Sequence, residues 1–416
     1  MKHAIQFGKR TLSLTVPDDR VVGVLAPKPA KELNNVDSAV RRALRKPVAT
    51  KPLRDLLRGK KTALIATVDY TRPSPRRLLL AILHECEQQG VSASIIIATG
   101  RHRIMTQTEL IHHLGKDILD RCPVILHDPF DESQMVTKGR TKRGTAIRVN
   151  KAIFKHDIVI GTGIIEPSYL CGWSGGRKIL MPGLAHGESI DNNHFYLTDP
   201  KAQIGRLHGN PVSDDAAEFA SKLPLHFIAY AIAGPNDELV RIVAGHPFMA
   251  HETACGYSRA IYKVRNQSAD IVISTPGGAP YDCDFVQGKK AVIPAAETVN
   301  NNGVIILCAE CPEGLGAEPT FVEWLTGKRP AEVVRDVRNR ALFSLGAHGA
   351  NILARPIVEK NARVILVTSP PVARQLHGTY IITTTRLSEA WRAANLIAGK
   401  HARVLFIDKA RRLIID

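Results

Sequence analysis

Apolar, β-branched runs alternate with stretches of helical periodicity along most of the chain, which predicts an α/β protein with largely parallel strands. The runs at 63–68, 94–98, 123–126, 157–160, 270–274, 304–308, 364–367 and 404–407 are short and bounded by polar or glycine-containing segments. Each reads as a buried strand. Between the first two, residues 76–89 carry leucines and an isoleucine at helical spacing and stop before Gly90. Residues 388–398 repeat the pattern, with Ser388 as the expected N-cap and Gly399 just beyond. A boundary is expected near residue 265, where a helical segment passes into the strand at 270. The arrangement expected is an N-terminal α/β domain over 1–264 and a C-terminal one over 265–402, with a cofactor cleft between them. The closing segment 403–416 could return to the N-terminal domain.

A chain of 416 residues exceeds one ordinary core at about 150 residues per domain, which agrees with that division. No apolar run reaches the roughly 18 residues of a membrane span, and the N-terminus lacks the apolar stretch of a secretory signal. Seven cysteines, an odd number spread thinly, make no disulfide framework. A cytoplasmic protein without a membrane partner is expected. Only Cys308 and Cys311 have CxxC spacing; with no second pair nearby for zinc, they read as small residues at a strand end.

The net charge of +17 raises the question of nucleic acid. The Lys and Arg are dispersed, aromatics are 5%, and no helix-turn-helix, zinc-finger or RNA-binding signature occurs. No nucleic-acid partner is expected. A basic surface suits small anions equally well.

The placement of reactive side chains is more informative. Four predicted strands end in clusters: Asp69-Tyr70-Thr71-Arg72-Pro73-Ser74-Pro75, Thr99-Gly100-Arg101-His102-Arg103, Gly161-Thr162-Gly163 with Glu166-Pro167-Ser168-Tyr169, and Thr275-Pro276-Gly277-Gly278-Ala279-Pro280-Tyr281-Asp282. Open α/β sheets bind ligands beyond the carboxyl ends of their strands. The segment Ser174-Gly175-Gly176-Arg177-Lys178 joins glycines, which let backbone N–H groups approach an anion, to two cations. It lacks the spacing of a Walker A loop, so a nucleotide hydrolase is disfavoured. No HExxH, paired-carboxylate or GxSxG signature is present. Of sixteen histidines, His112, His113, His127 and His226 read as structural. His102 and His194 stand out because each adjoins a Gly- or Asn-rich loop.

Together these segments resemble the lactate racemase family of nickel-pincer-nucleotide-dependent 2-hydroxy-acid racemases and epimerases. The likeness is carried by the 69–75 cluster, Ala98-Thr99-Gly100-Arg101-His102-Arg103, Ser174 to Lys178 with Pro182-Gly183, Asn193-His194, and Gln287-Gly288-Lys289-Lys290. It implies a nickel-pincer nucleotide bonded to Lys178 through a thioamide, with His194 as the protein's nickel ligand; square-planar sulfur and imidazole donors suit Ni(II). It implies cofactor contacts at Ser174, Gly175, Gly176, Thr71 and Asp69. Arg72 would bind the substrate carboxylate, and Gln287 and Lys290 would complete the anion pocket. His102 would take the hydroxyl proton while hydride leaves the carbon and returns to the other face of a 2-keto acid. The partners implied are a small 2-hydroxy acid and the accessory proteins that make the cofactor.

One position departs from the family. Its second catalytic histidine falls on Ser168, whose hydroxyl cannot act as a base near neutral pH. Tyr169, Lys290 and His348 are candidates to replace it. The change points away from lactate toward a malate-like or sugar-acid-like substrate. It also supports an alternative, a non-catalytic protein of the same fold that binds or carries the cofactor.

Overall fold

The computed structural model describes Met1–Asp416 in full. The chain divides into two compact units, Pro29–Ile261 and a second built from Met1–Lys28 together with Tyr262–Asp416.

The N-terminal unit is organised on a six-stranded sheet in the order Leu239–Gly245, Phe227–Ala233, Ile158–Ile165, Thr62–Val68, Ser92–Ala98, Val124–Leu126. All neighbours are parallel except the first pair. Ala63, Ile65, Ile158 and Ile160 pack on one face with Leu79 and Ile82 of the Arg76–Gln88 helix. Leu64, Ala66 and Val159 pack on the other with Leu180, Met181 and Phe219. Strands covered on both faces have no solvent side, hence the unbroken apolar runs in the sequence. From Thr62–Val68 the chain builds outward to Val124–Leu126, then returns to add Ile158–Ile165 on the other flank. The strand order therefore reverses between Thr62–Val68 and Ile158–Ile165, where an open parallel sheet leaves a crevice at its carboxyl ends.

The second unit has its own six-stranded parallel sheet, ordered Ile382–Thr384, Arg363–Val367, Val299–Cys308, Ala269–Ser274, Val404–Ile407, Val21–Leu25. Its edge strand comes from the start of the chain, registered as Val404↔Val21 and Ile407↔Leu25. Residues 1–28, expected in the N-terminal domain, thus group with the C-terminal unit, and Val404–Ile407 completes that unit's sheet and does not return to the other. Backbone pairing across the two ends of the chain is the reason. The hairpin Lys2–Phe7/Arg10–Thr15 buries Ile5, Phe7 and Leu14 against Ile273, Ile306 and Val367. Its turn residue Gly8, at φ 56°, donates its N–H to Asp282 Oδ2 at 2.7 Å and accepts from Ala279 N at 2.8 Å. Thr275 Oγ1 donates to Gln6 O at 2.6 Å. These contacts set the hairpin on the loop after Ala269–Ser274, at this sheet's own reversal of order.

Six of the eight expected strands lie within two residues of their predicted ends, 404–407 coincides, and the strand expected at 304–308 begins five residues earlier at Val299. The strand expected at 157–160 extends to Ile165. The helix expected at 388–398 runs Leu387–Ala398; Ser388 lies inside it, the N-cap position is Arg386, and Gly399 ends it at φ 92°. Cys308 and Cys311 are buried; all seven thiols are unpaired, and all but the partly buried Cys283 are buried. No helix is long and apolar enough to cross a membrane.

Candidate active site

Three loops at the carboxyl ends of adjacent strands of the N-terminal sheet carry the predicted residues: Asp69, Thr71 and Arg72 after Thr62–Val68, His102 after Ser92–Ala98, and Glu166 to Lys178 after Ile158–Ile165.

Asp69 is buried, and its carboxylate is the centre of the first loop pair. Asp69 Oδ2 lies 2.6 Å from His102 Nδ1, while Asp69 Oδ1 accepts from Thr71 N at 3.0 Å and Thr71 Oγ1 at 2.5 Å. Burial pushes this carboxyl up, but the hydrogen bond and charge of His102 and the two donations from Thr71 outweigh it, leaving the pKa below the usual carboxylate value. The His102 ring is half-exposed. Gly100, at φ 56°, turns the second loop and donates to Gly183 O at 3.0 Å.

Arg72 Nε stands 3.8 Å from Glu166 Oε1, spanning the two strands between which the order reverses. Glu166 is buried and fixed through its backbone: its N–H donates to Ser174 Oγ at 2.8 Å and its carbonyl accepts from Ser174 N at 2.9 Å. The Ser174 hydroxyl donates in turn to Ile164 O at 2.8 Å, so that side chain staples the 164–174 loop. Ser168 bridges Gly172 within the same loop and is half-buried, as is Tyr169.

Gly175 and Gly176 have φ of 72° and 55° and are tightly covered. A Cβ on Gly175 would meet Ile165 Cδ1 at 2.3 Å, and one on Gly176 would meet the His251 ring at 2.4 Å. His251 lies beneath, with Nε2 2.9 Å from Ser174 O; burial and the nearby Arg177 lower its pKa to about 3. Arg177 turns inward, buried, with its guanidinium on Ser213 Oγ. Lys178 is half-buried on the Gly176–Ile179 turn, and burial pushes its ammonium below the usual lysine range. The two adjacent cations of the motif thus have different surroundings, a division invisible in the sequence.

His194 is buried in the last turn of the helix Gly187–Phe195. Two side chains of that helix anchor it. Asp191 Oδ2 accepts from Arg101 Nη1 at 2.9 Å, which ties the helix to the loop bearing His102. Asn193 donates to Asp215 Oδ2 at 2.8 Å and Val212 O at 3.1 Å. Sequence reasoning singled out neither pair; the only signal was their position beside a candidate histidine.

In the C-terminal unit Lys290 Nζ donates to Gln287 Oε1, and Asp284 caps the turn that holds them, accepting from Gln287 N at 2.7 Å. His348 is buried, and burial with the charges of Lys289 and Lys290 lowers its pKa to about 3. It is neutral near pH 7 and weakly basic. His113, His127 and His226 bond to backbone groups of Val68, Ala185 and Val159, in keeping with structural roles. A cavity of about 860 Å³ beside Arg374, His377 and Glu389 is lined by none of the predicted residues.

Residues 7–205 match the lactate racemase N-terminal domain and residues 264–415 the lactate racemase C-terminal domain. The chain is 32% identical to the lactate racemase of Thermoanaerobacterium thermosaccharolyticum, covering 99% of this chain and 98% of that protein. It is 29% identical to the lactate racemase of Lactiplantibacillus plantarum, covering 99% of each. The apoprotein structure of the Thermoanaerobacterium enzyme superposes with a TM-score of 0.92 over 100% of both chains. A Thermotoga maritima protein at 19% identity, with a TM-score of 0.70 over 93% of this chain and 99% of its own, shares the fold.

Proposed function

From a chain that belongs to the lactate racemase family, we propose an isomerase that inverts the hydroxyl-bearing carbon of a 2-hydroxy acid through a 2-keto acid. The observation that carries this reading is the convergence of Arg72, an Asp69-bound His102 and the Lys178 loop on the carboxyl ends of adjacent strands where the sheet order reverses.

The residues present fit the family's nickel-pincer nucleotide. Lys178, whose ammonium burial disfavours, offers the amine that a covalent link needs in a setting that eases its deprotonation. His194 offers a buried imidazole on a helix anchored at Asp191 and Asn193. No group of three or more His, Cys, Asp or Glu side chains is arranged to hold a metal, which suits an ion that arrives with most of its ligands. When bound, this cofactor supplies the site that accepts hydride from the substrate carbon and gives it back. The glycine backbone at 175 and 176 is assigned to the nucleotide.

The chain's own side chains supply binding and proton handling. Arg72, with Glu166 behind it, presents a planar guanidinium to the substrate carboxylate. His102, its Nδ1 taken by Asp69, uses Nε2 for the hydroxyl proton. On the resemblance alone, Gln287 and Lys290 are assigned to anion binding. The Ser168 hydroxyl donates or accepts a hydrogen bond but does not serve as base, and the low basicity of His348 argues against it as the replacement. Tyr169 and Lys290 remain the candidates. A malate-like or sugar-acid-like acid is the proposed substrate in place of lactate, and seven free thiols suit a reducing cytoplasm.

The test is to mature the chain with cofactor-making accessory proteins and nickel, then follow optical activity of single enantiomers of lactate, malate and gluconate-type acids. Racemisation supports the reading. A loaded, coloured but inert protein supports the alternative carrier, which Ser168 at the second histidine's place favours. His102→Ala is expected to keep the cofactor and lose turnover.

A further inference from the structure

We infer that Asp69, braced by Thr71, is a positioning residue that fixes His102 in the tautomer whose Nε2 lone pair is free to take a proton. This rests on the reading of His102 as the proton handler and assigns the carboxylate of Asp69 a task other than holding the cofactor.

Donors and acceptors around one buried group fix the tautomer. The Asp69 side chain is almost wholly inaccessible and has two oxygens facing three groups. Oδ1 receives the backbone N–H of Thr71 at 3.0 Å and its hydroxyl at 2.5 Å. Oδ2 faces His102 Nδ1 at 2.6 Å. An ionised carboxylate accepts only, so Nδ1 carries the hydrogen and Nε2 is left with the lone pair. The balance that keeps Asp69 below the usual carboxylate range keeps it ionised wherever His102 is to act as base. Both Asp69 oxygens are committed, and the half-exposed ring of His102 is held by the edge turned toward the protein.

An amide at position 69 reverses the assignment. In Asp69→Asn one oxygen must still meet the Thr71 backbone N–H, which can only donate. The amide nitrogen then faces His102, so Nδ1 must accept and the hydrogen moves to Nε2. Shape is kept while the basic atom is lost from the exposed side. A neutral isostere at the orienting carboxylate of an acid–base histidine is expected to lower turnover by about 10³–10⁴-fold through the wrong tautomer.

The experiment reads the tautomer directly, by nitrogen–proton correlation NMR of the full chain labelled with ¹⁵N-histidine and free of cofactor, with His102→Gln used to assign the signal. The wild-type ring is expected as Nδ1–H and the Asp69→Asn ring as Nε2–H. Thr71→Val, which keeps the backbone donor and removes the hydroxyl, is expected to leave the Nδ1–H form and to lower turnover less than about tenfold, the loss of one hydrogen bond. In the loaded enzyme Asp69→Asn should lower kcat with KM little changed. A wild-type ring already in the Nε2–H form, or an Asp69→Asn ring still in the Nδ1–H form, overturns the inference. A switched tautomer with undiminished turnover leaves the brace standing and instead removes His102 from proton transfer.

Discussion

Arg72 Nε and Glu166 Oε1 stand 3.8 Å apart across the two strands between which the N-terminal sheet changes direction. The glutamate is buried and tied to Ser174 through its backbone, so it backs the arginine with a rigid negative charge and leaves the guanidinium partly exposed.

That pairing predicts a binding defect. Arg72→Lys replaces a planar fork with a point charge and is expected to raise KM for the hydroxy acid about 10–100-fold, with a smaller change in kcat. Steady-state kinetics on the loaded enzyme measure it. An unchanged KM would show that another cation holds the carboxylate.

Lys178 should be irreplaceable as the point of attachment. Lys178→Ala and Lys178→Arg are both expected to show no mass increase after maturation with accessory proteins and nickel, because neither offers a neutral amine. Intact-mass spectrometry decides the matter. A variant that gains the same adduct would move the link to another residue.

Gly176 is confined by the ring of His251 beneath it. Gly176→Ala must drive a methyl into that ring while holding φ near 55°, and is expected to cost about 1–3 kcal/mol. His251→Ala in the same chain makes room, so the double variant should be more stable than the two single losses predict when added. Strict additivity in denaturant titrations would falsify the steric explanation.

Acid should destabilise the fold well above the carboxylate range. Burial lowers His127 to about 4, and His251 and His348 to about 3, from an unfolded value near 6.5. Between those limits the unfolded chain binds more protons than the folded one, so stability is full above about 6.5 and declines as pH falls toward the folded values. Asp69, lowered from its ordinary 3.8, acts in the same direction at still lower pH. Thermal unfolding at pH 7, 6 and 5 should show a falling midpoint, and His127→Asn should flatten part of the slope. A midpoint constant from pH 7 to 5 would mean these rings are already protonated in the fold.

Much of this was legible in the sequence for a physical reason. Strands buried on both faces must be apolar throughout, so the side chains placed just after them, Asp69 to Arg72 and His102, stand out by contrast. Phe227–Ala233 lies outside the expected strands because three of its seven residues are alanine, which favours strands less than the β-branched residues of the other runs. The inward turn of Arg177 and the staple made by Ser174 depend on partners 36 and 10 residues away, Ser213 and Ile164, which local pattern cannot supply. The grouping of residues 1–28 with the C-terminal unit depends on pairing between opposite ends of the chain.

That last pairing has a consequence during synthesis. Val21–Leu25 has no partner strand until Val404–Ile407 has been made, ~380 residues later. At ~5–20 residues per second, that strand waits roughly 20–80 s on the ribosome for its partner, while the cover for Ile5, Phe7 and Leu14 arrives in stages with Ile273, Ile306 and Val367. The intervening Pro29–Ile261 emerges whole and is free to collapse in the meantime. The unit that begins the polypeptide is therefore the last to be finished, and its leading hairpin gains its full cover only when Phe406 has been made.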